Sequence, residues 1–176
     1  MSIIYRQAQP ADAAKLLEYL KRVGGESDNL TFGAAGIPFS VEQEEALLKR
    51  IAQSPRSRFF LALDGDEIVG NACVDGSSNA RLKHRCNLAI TVRKDHWGQH
   101  IGTGLMEQMI AFARAAGAEL LSLEVRTDNE RAKALYRKFG FRSFGIFPRY
   151  FKINGEYVDV DCMTLALDAP EAEEAK

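Results

Sequence analysis

The chain has 176 residues, 46% of them hydrophobic and 27% charged, which is the balance of one soluble domain with a real core. A net charge of −1 gives no sequence-wide attraction to nucleic acid or to an anionic membrane, and no apolar run approaches the roughly 20 residues that span a bilayer. The opening MSIIYRQAQP lacks the shape of a signal peptide, and Cys73, Cys86 and Cys162 lack metal-ligand spacing, so reduced thiols in a cytoplasmic protein without a metal are expected.

Ile3 to Gln7 reads as a first strand. Pro10 and Asp12 start a helix that runs to about Arg22, with Gly24-Gly25 as its stop. Residues 24–39 form a long glycine-rich loop, of a length that is often functional. Ser40 caps a second helix, VEQEEALLKRIAQ, through a capping box with Gln43. Arg58 to Leu63 and Glu67 to Val74 are strands about the turn Asp64-Gly65-Asp66, and residues 75–80 make another turn.

In Cys86 to Val92, Cys86, Leu88, Ile90 and Val92 alternate with Asn87, Ala89 and Thr91, as a half-covered strand requires. The loop Trp97-Gly98-Gln99-His100-Ile101-Gly102-Thr103-Gly104 follows, and a helix runs from about Thr103 to Ala116, with Gly117 as its stop. A glycine loop entering a helix can bind a phosphate, because the first helical N–H groups lack partners and the helix end carries about half a positive charge. Taken alone, a glycine-rich turn into a helix is more often a tight turn and nothing more. His84, His96 and His100 cluster in sequence but read as surface or loop residues.

Leu121, Leu123 and Val125 alternate with Leu120, Ser122 and Glu124 on the next strand. Thr127 opens a helix, with Glu130 completing a capping box. Asn129, Ala132, Leu135, Tyr136 and Phe139 share one stripe of that helix, and Asn129 and Tyr136 are two turns, about 10.5 Å, apart. A tyrosine on an apolar stripe is ordinarily a core residue. Gly140 ends the helix, with Phe141 placed to fold back on it. Phe141 to Ile153 and Glu156 to Leu167 then flank the hairpin turn Asn154-Gly155, and Pro148 marks a bulge or an edge. The acidic residues 168–176 read as a frayed tail, leaving residues 1–167 as a single domain.

The run V-x5-G-Q-H-I-G-T-G-L-M, followed by L-S-L-E-V-R-T-D-N-E-R-A-K-A-L-Y-R-K-F-G-F, resembles the two signature motifs of the GNAT superfamily of acyl-CoA-dependent N-acetyltransferases. It is nearest in motif to the branch of the ribosomal-protein alanine N-acetyltransferases. The motifs cover about a third of the chain, and the second is the more specific. The resemblance implies an α/β architecture of the α+β type, a mixed, mainly antiparallel seven-stranded sheet with about four helices, in the order β-α-α-β-β-β-α-β-α-β-β. Its fourth and fifth strands start parallel and splay, and the cofactor's pantetheine arm enters the gap.

The resemblance also implies the site. Acetyl-CoA is the co-substrate, held by the strand backbone at Ile90, Thr91 and Val92, by the loop from Trp97 to Gly104, and by Asn129 on the pantetheine arm. Tyr136 matches the position that protonates the departing thiolate, and Glu124 is the base candidate. The family loop runs Arg/Gln-x-x-Gly-x-Gly, five residues beyond the strand's last valine. Counted from Val92, Trp97 stands in place of Arg or Gln, and His100 in place of glycine. Gln99 to Gly104 also fits the pattern, shifted by two.

An alkyl ammonium of pKa about 10.4 must lose its proton before it attacks a thioester, which costs roughly 4–5 kcal/mol at pH 7. A base, or water leading to one, makes that loss productive. Glu124 could instead pair with Arg126, and Glu26 in the long loop is an alternative base. Glu26 and Asp28 are candidates for attracting a cationic acceptor, either a small molecule or a protein amine. Direct transfer in a ternary complex is expected, with a homodimer compatible with it. A non-catalytic acyl-CoA-binding module and a nucleotide-binding domain are the alternatives; the antiparallel hairpin signals disfavour the second.

Overall fold

The computed structural model describes residues 2–167, so the expected tail at 168–176 lies outside the described residues. Seven strands form one sheet: β1 (Ile4–Gln7), β2 (Arg58–Asp64), β3 (Glu67–Gly76), β4 (Arg85–Val92), β5 (Leu120–Arg126), β6 (Arg142–Ile153) and β7 (Glu156–Ala166). Four α-helices accompany them: α1 (Ala13–Glu26), α2 (Val41–Gln53), α3 (Ile101–Ala115) and α4 (Glu130–Lys138). The strand order is β1-β2-β3-β4-β5-β7-β6, and every neighbouring pair is antiparallel except β4–β5.

Alternation along the strands builds two cores. Phe60, Ala62 and Val69 face α3 with Leu105, Met109, Leu121, Leu123 and Met163. Leu61 and Ile68 face the other way, onto Leu16, Leu20 and Val23 of α1 and Leu48 of α2. Burying a side chain of this size contributes about 1.5–3 kcal/mol, so the alternation itself fixes which face each strand presents. Both tight hairpins form where the sequence places them. Asp64 pairs with Glu67 across a turn in which Gly65 has φ +59°, and Ile153 pairs with Glu156 across Asn154 and Gly155 at φ +51° and +87°. Pro148 lies inside the register break between Phe147 and Phe151 on the edge strand β6.

Three helix boundaries differ from the sequence reading. α1 does not stop at Gly24-Gly25 but continues to Glu26. A Cβ on Gly24 would stand 2.2 Å from the Gly33 carbonyl oxygen, so this glycine lets the following loop press against the helix. α4 is capped by Asn129, whose side chain accepts from the Ala132 N–H at 3.1 Å, and not by Thr127. The Thr127 N–H is already committed to the Asp159 carbonyl, and the Glu130 carboxylate is drawn to Lys133 at 2.5 Å instead of closing a box. α3 begins two residues earlier than expected, at Ile101. The Ser40–Gln43 capping box forms, with both its hydrogen bonds present.

The parallel pair positions the site. β4 and β5 are joined only at Arg85–Leu120, Cys86–Leu121 and Asn87–Ser122. Beyond Asn87 and Ser122 the strands diverge, which leaves the inner edge of β4 from Leu88 to Val92 without a strand partner on that side among the described residues.

Candidate active site

A cleft of about 510 Å³ opens from this splay. One wall is the end of β4, with Ile90, Thr91 and Val92, and the loop and helix start from His96 to Thr103. The facing wall is α4, with Asn129, Arg131, Ala132, Leu135 and Tyr136. The C-terminal end of α1 and its loop close one side through Val23, Glu26, Ser27, Asn29 and Leu30.

The β4 wall is held from beneath. The Tyr19 hydroxyl, buried in α1, lies 2.8 Å from Thr91 Oγ1, which in turn donates to Asn71 Oδ1 on β3. Trp97 turns its indole N–H back onto the Val92 carbonyl at 2.8 Å, pinning the loop to the strand end. Arg93 is buried between Glu67 and Asp95, at 2.6 Å from each. The Arg93 guanidinium and the neighbouring His96 hold the Asp95 carboxyl well below the usual carboxylate range.

The loop is shaped for an anion. Gly98 has φ +81° and His100 φ +61°, a left-handed conformation in which a side chain is strained. Among the described residues, the amides from Gly98 to Thr103 donate to no protein acceptor; the first to bond back is Gly104, to His100 O at 3.1 Å. Such free amides at the head of a 15-residue helix form a concavity with partial positive charge. Helix start and free amides agree with the register counted from Val92.

Tyr136 lies at the α4 side of the cleft, its ring 6.0 Å from that of Phe141. Phe141 folds back as expected, its N–H bonding the Tyr136 carbonyl at 3.1 Å after Gly140 at φ +89°. The Tyr136 side chain is buried, and its hydroxyl has no hydrogen-bond partner among the described residues. Burial pushes its phenol up to about 12, so it is fully protonated at neutral pH. The hydroxyl is not among the enclosed side-chain atoms that lack a partner, so it opens onto the cleft that Tyr136 lines.

The remaining candidates separate. Gln99 and Gly104 are not in the cleft wall. Gly104 is a glycine for packing, because a Cβ there would stand 2.3 Å from the Tyr5 ring. Asn129 lines the cleft with its Oδ1 used by the cap, leaving its amide N–H groups as donors. Glu26 lines the cleft, but its carboxylate accepts the Lys94 N–H at 2.7 Å and meets Arg22 at 3.3 Å. Asp28 is exposed outside the cleft, its carbonyl tied to Arg126 at 2.9 Å. Glu124 is exposed on β5, on the face opposite Leu123 and Val125, and does not pair with Arg126, whose guanidinium is held by Asp128 at 2.7 Å. Sequence reasoning missed His96, Arg131, Ala132, Leu135 and, on the α1 wall, every lining residue except Glu26. Of these, Ala132 and Leu135 carried a signal, their place on the stripe of α4.

Residues 28–141 match the model of the acetyltransferase (GNAT) family. An N-alpha-acetyltransferase, RimI, of Mycobacterium tuberculosis is 32% identical over 124 residues, covering 70% of this chain and 74% of that one. A GNAT-family acetyltransferase from Streptococcus pneumoniae superposes with a TM-score of 0.92 at 32% identity, over 94% of this chain and all of that one. The yncA protein of Salmonella typhimurium, solved with its cofactor acetyl-CoA, shares the fold with a TM-score of 0.83 at 19% identity, covering the whole of both chains.

Proposed function

The chain belongs to the GNAT family of acetyltransferases, and we propose that it moves the acetyl group of acetyl-CoA directly to a primary amine in a ternary complex. The observation that carries this reading is the juxtaposition in one cleft, among the described residues, of free loop amides, an unpaired strand edge and a tyrosine hydroxyl that reaches the cleft without a protein partner. The residues fit the co-substrate. The amides from Gly98 to Thr103 suit a pyrophosphate, and the β4 edge offers backbone groups for the amides of a pantetheine arm. Acetyl-CoA supplies the activated acyl thioester.

The chain's own residues then act on protons and position. Tyr136 holds a proton at its Oη and donates it to the thiolate sulfur as the C–S bond breaks. A phenol raised to about 12 is a weaker acid than a thiol near 8.5, so the transfer is uphill unless the developing charge beside Oη offsets it. Glu124, exposed on β5 and outside the cleft wall, accepts the ammonium proton through water. The α1 end and its loop form the wall against which the acceptor lies. A single domain over residues 1–167 in the cytoplasm, with its three thiols reduced, is part of the same reading.

An acceptor screen tests it. Thiol release from acetyl-CoA should require an amine of one chemical class. If acetyl-CoA raises the melting temperature but no amine releases thiol, the chain is a non-catalytic acyl-CoA-binding module.

A further inference from the structure

We propose that Arg85 selects the acceptor, by binding a carboxylate that the acceptor carries about 7 Å, or two extended residues, from its reacting amine. The inference rests on the acetyl-transfer reading and adds to it the chemical class of the acceptor: a dipeptide or short amino acid with a free carboxylate, and not a polyamine.

The strand register places a polar face beside Glu124. Phe59 packs in the core beneath α1 and α2 and pairs with Cys73, which pairs with Ala89, so these residues share the face those helices cover. On the same face Asp75 pairs with Asn87, Asn87 with Ser122, Ser122 with Thr164, and Glu124 with Cys162. None of these belongs to either hydrophobic core, because α1 and α2 pack over β2 and β3 and the polar residues lie beyond them. A second cavity, of about 420 Å³, opens here, lined by Asp75, Gly76, Ser77, Leu82, Arg85 and Asn87.

Arg85 is the cation of that cavity. Its Nη2 donates to Asn87 Oδ1 at 3.5 Å and to Ser122 Oγ at 3.4 Å, and among the described residues it meets no carboxylate. Both contacts are longer than an ordinary N–H···O bond, which leaves the guanidinium open to the paired bonds it makes with a carboxylate. Arg81, Lys83 and His84 precede it in the chain and add to the positive potential. Asp75 opposes them, with its Oδ1 taking the Ser57 hydroxyl at 3.1 Å. The face is thus acidic at Glu124 and cationic at Arg85, which complements an acceptor with an ammonium at one end and a carboxylate at the other.

The spacing sets the acceptor's length. The Arg85 guanidinium is held level with Asn87 and Ser122, where the two strands part. Glu124 follows Ser122 by two positions, about 7 Å along β5. An amine served by Glu124 through water and a carboxylate on Arg85 are therefore about two extended residues apart. Ala89 and Cys162, on the same face, are small and leave room for modest side chains along that path.

Alanylalanine and its C-terminal amide test this. Calorimetry with coenzyme A present reads binding without turnover. The wild type should bind the free acid roughly 10- to 100-fold more tightly than the amide, the usual worth of hydrogen bonds between charged groups. Arg85→Gln should lose that preference through the free acid alone, Arg85→Lys should keep part of it, and Asp75→Asn should strengthen binding of the free acid. Coenzyme A affinity should not change in any of them, since neither side chain lines the cofactor cleft. In thiol-release assays the same preference should appear in KM and not in kcat. Equal binding of acid and amide by the wild type overturns the proposal, as does a preference that survives Arg85→Gln. Binding that follows Arg85 without thiol release from any amine upholds the carboxylate site and overturns the acetyl-transfer reading, so the two fail separately.

Discussion

The guanidinium carbon of Arg131 lies 4.3 Å from the centre of the Trp97 ring, joining the first turn of α4 to the loop that feeds α3. The contact ties the two walls of the cleft together at the position where the family carries Arg or Gln. A cation over a tryptophan contributes about 0.5–1 kcal/mol when exposed and about 2 kcal/mol when desolvated. Arg131→Ala should therefore lower the melting temperature without ligand by a few degrees, and should also weaken acetyl-CoA binding, measured by calorimetry, because the stack holds the two cleft walls at their spacing. Unchanged affinity would mean that the stack serves the fold alone.

His100 stands in a left-handed conformation, φ +61°, at the N-cap of α3. That conformation costs a side-chain-bearing residue about 1–2 kcal/mol, and glycine adopts it freely. His100→Gly should raise the melting temperature by about 2–4 °C, the usual effect of about 1 kcal/mol at this chain length. Acetyl-CoA should bind as well or better if, as proposed, the backbone N–H groups do the binding. A large loss of affinity in a folded protein would assign binding to the imidazole itself.

Glu44 on α2 is 1% exposed, and its Oε2 has no hydrogen-bond partner among the described residues. Burial raises its pKa in the folded state above the unfolded value. The folded chain therefore holds this proton more tightly. Stability from this group is full below the unfolded pKa and falls as pH rises through the folded one. Glu44→Gln should raise the melting temperature at pH 8, and the gain should vanish by about pH 4, near the unfolded pKa of a glutamate. Scanning calorimetry at the two pH values decides it, and an equal shift at both would remove the titration from the explanation.

Much of the fold was legible because strand alternation and turn chemistry are local. Cys86, Leu88 and the turn at Asn154-Gly155 each announce their geometry within a few residues. Glycine misled where its reason was not local: Gly24 stops nothing, and its missing Cβ makes room for Gly33 from the following loop. The same holds for Gly104, which reads as part of a phosphate loop and packs on Tyr5 from β1. Thr127 looked like a cap because nothing nearby in sequence shows that Asp159 takes its N–H. The cofactor side of the cleft sits on two sequence-contiguous motifs and could be read. The acceptor side joins α1, its loop and β5 through contacts such as Arg126 to Asp28, 98 residues apart, and could not.

The most direct test of the mechanism is Tyr136→Phe, read by single-turnover acetyl transfer. The substitution keeps the ring against Phe141 and removes only a hydroxyl that has no protein partner among the described residues. Acetyl-CoA affinity and melting temperature should change little, since no intramolecular hydrogen bond is lost. The transfer rate should fall by roughly 10²–10⁴-fold, the usual worth of a general acid. An unchanged transfer rate in a folded Tyr136→Phe protein would contradict the account, and would leave water or the acceptor amine as the source of the proton.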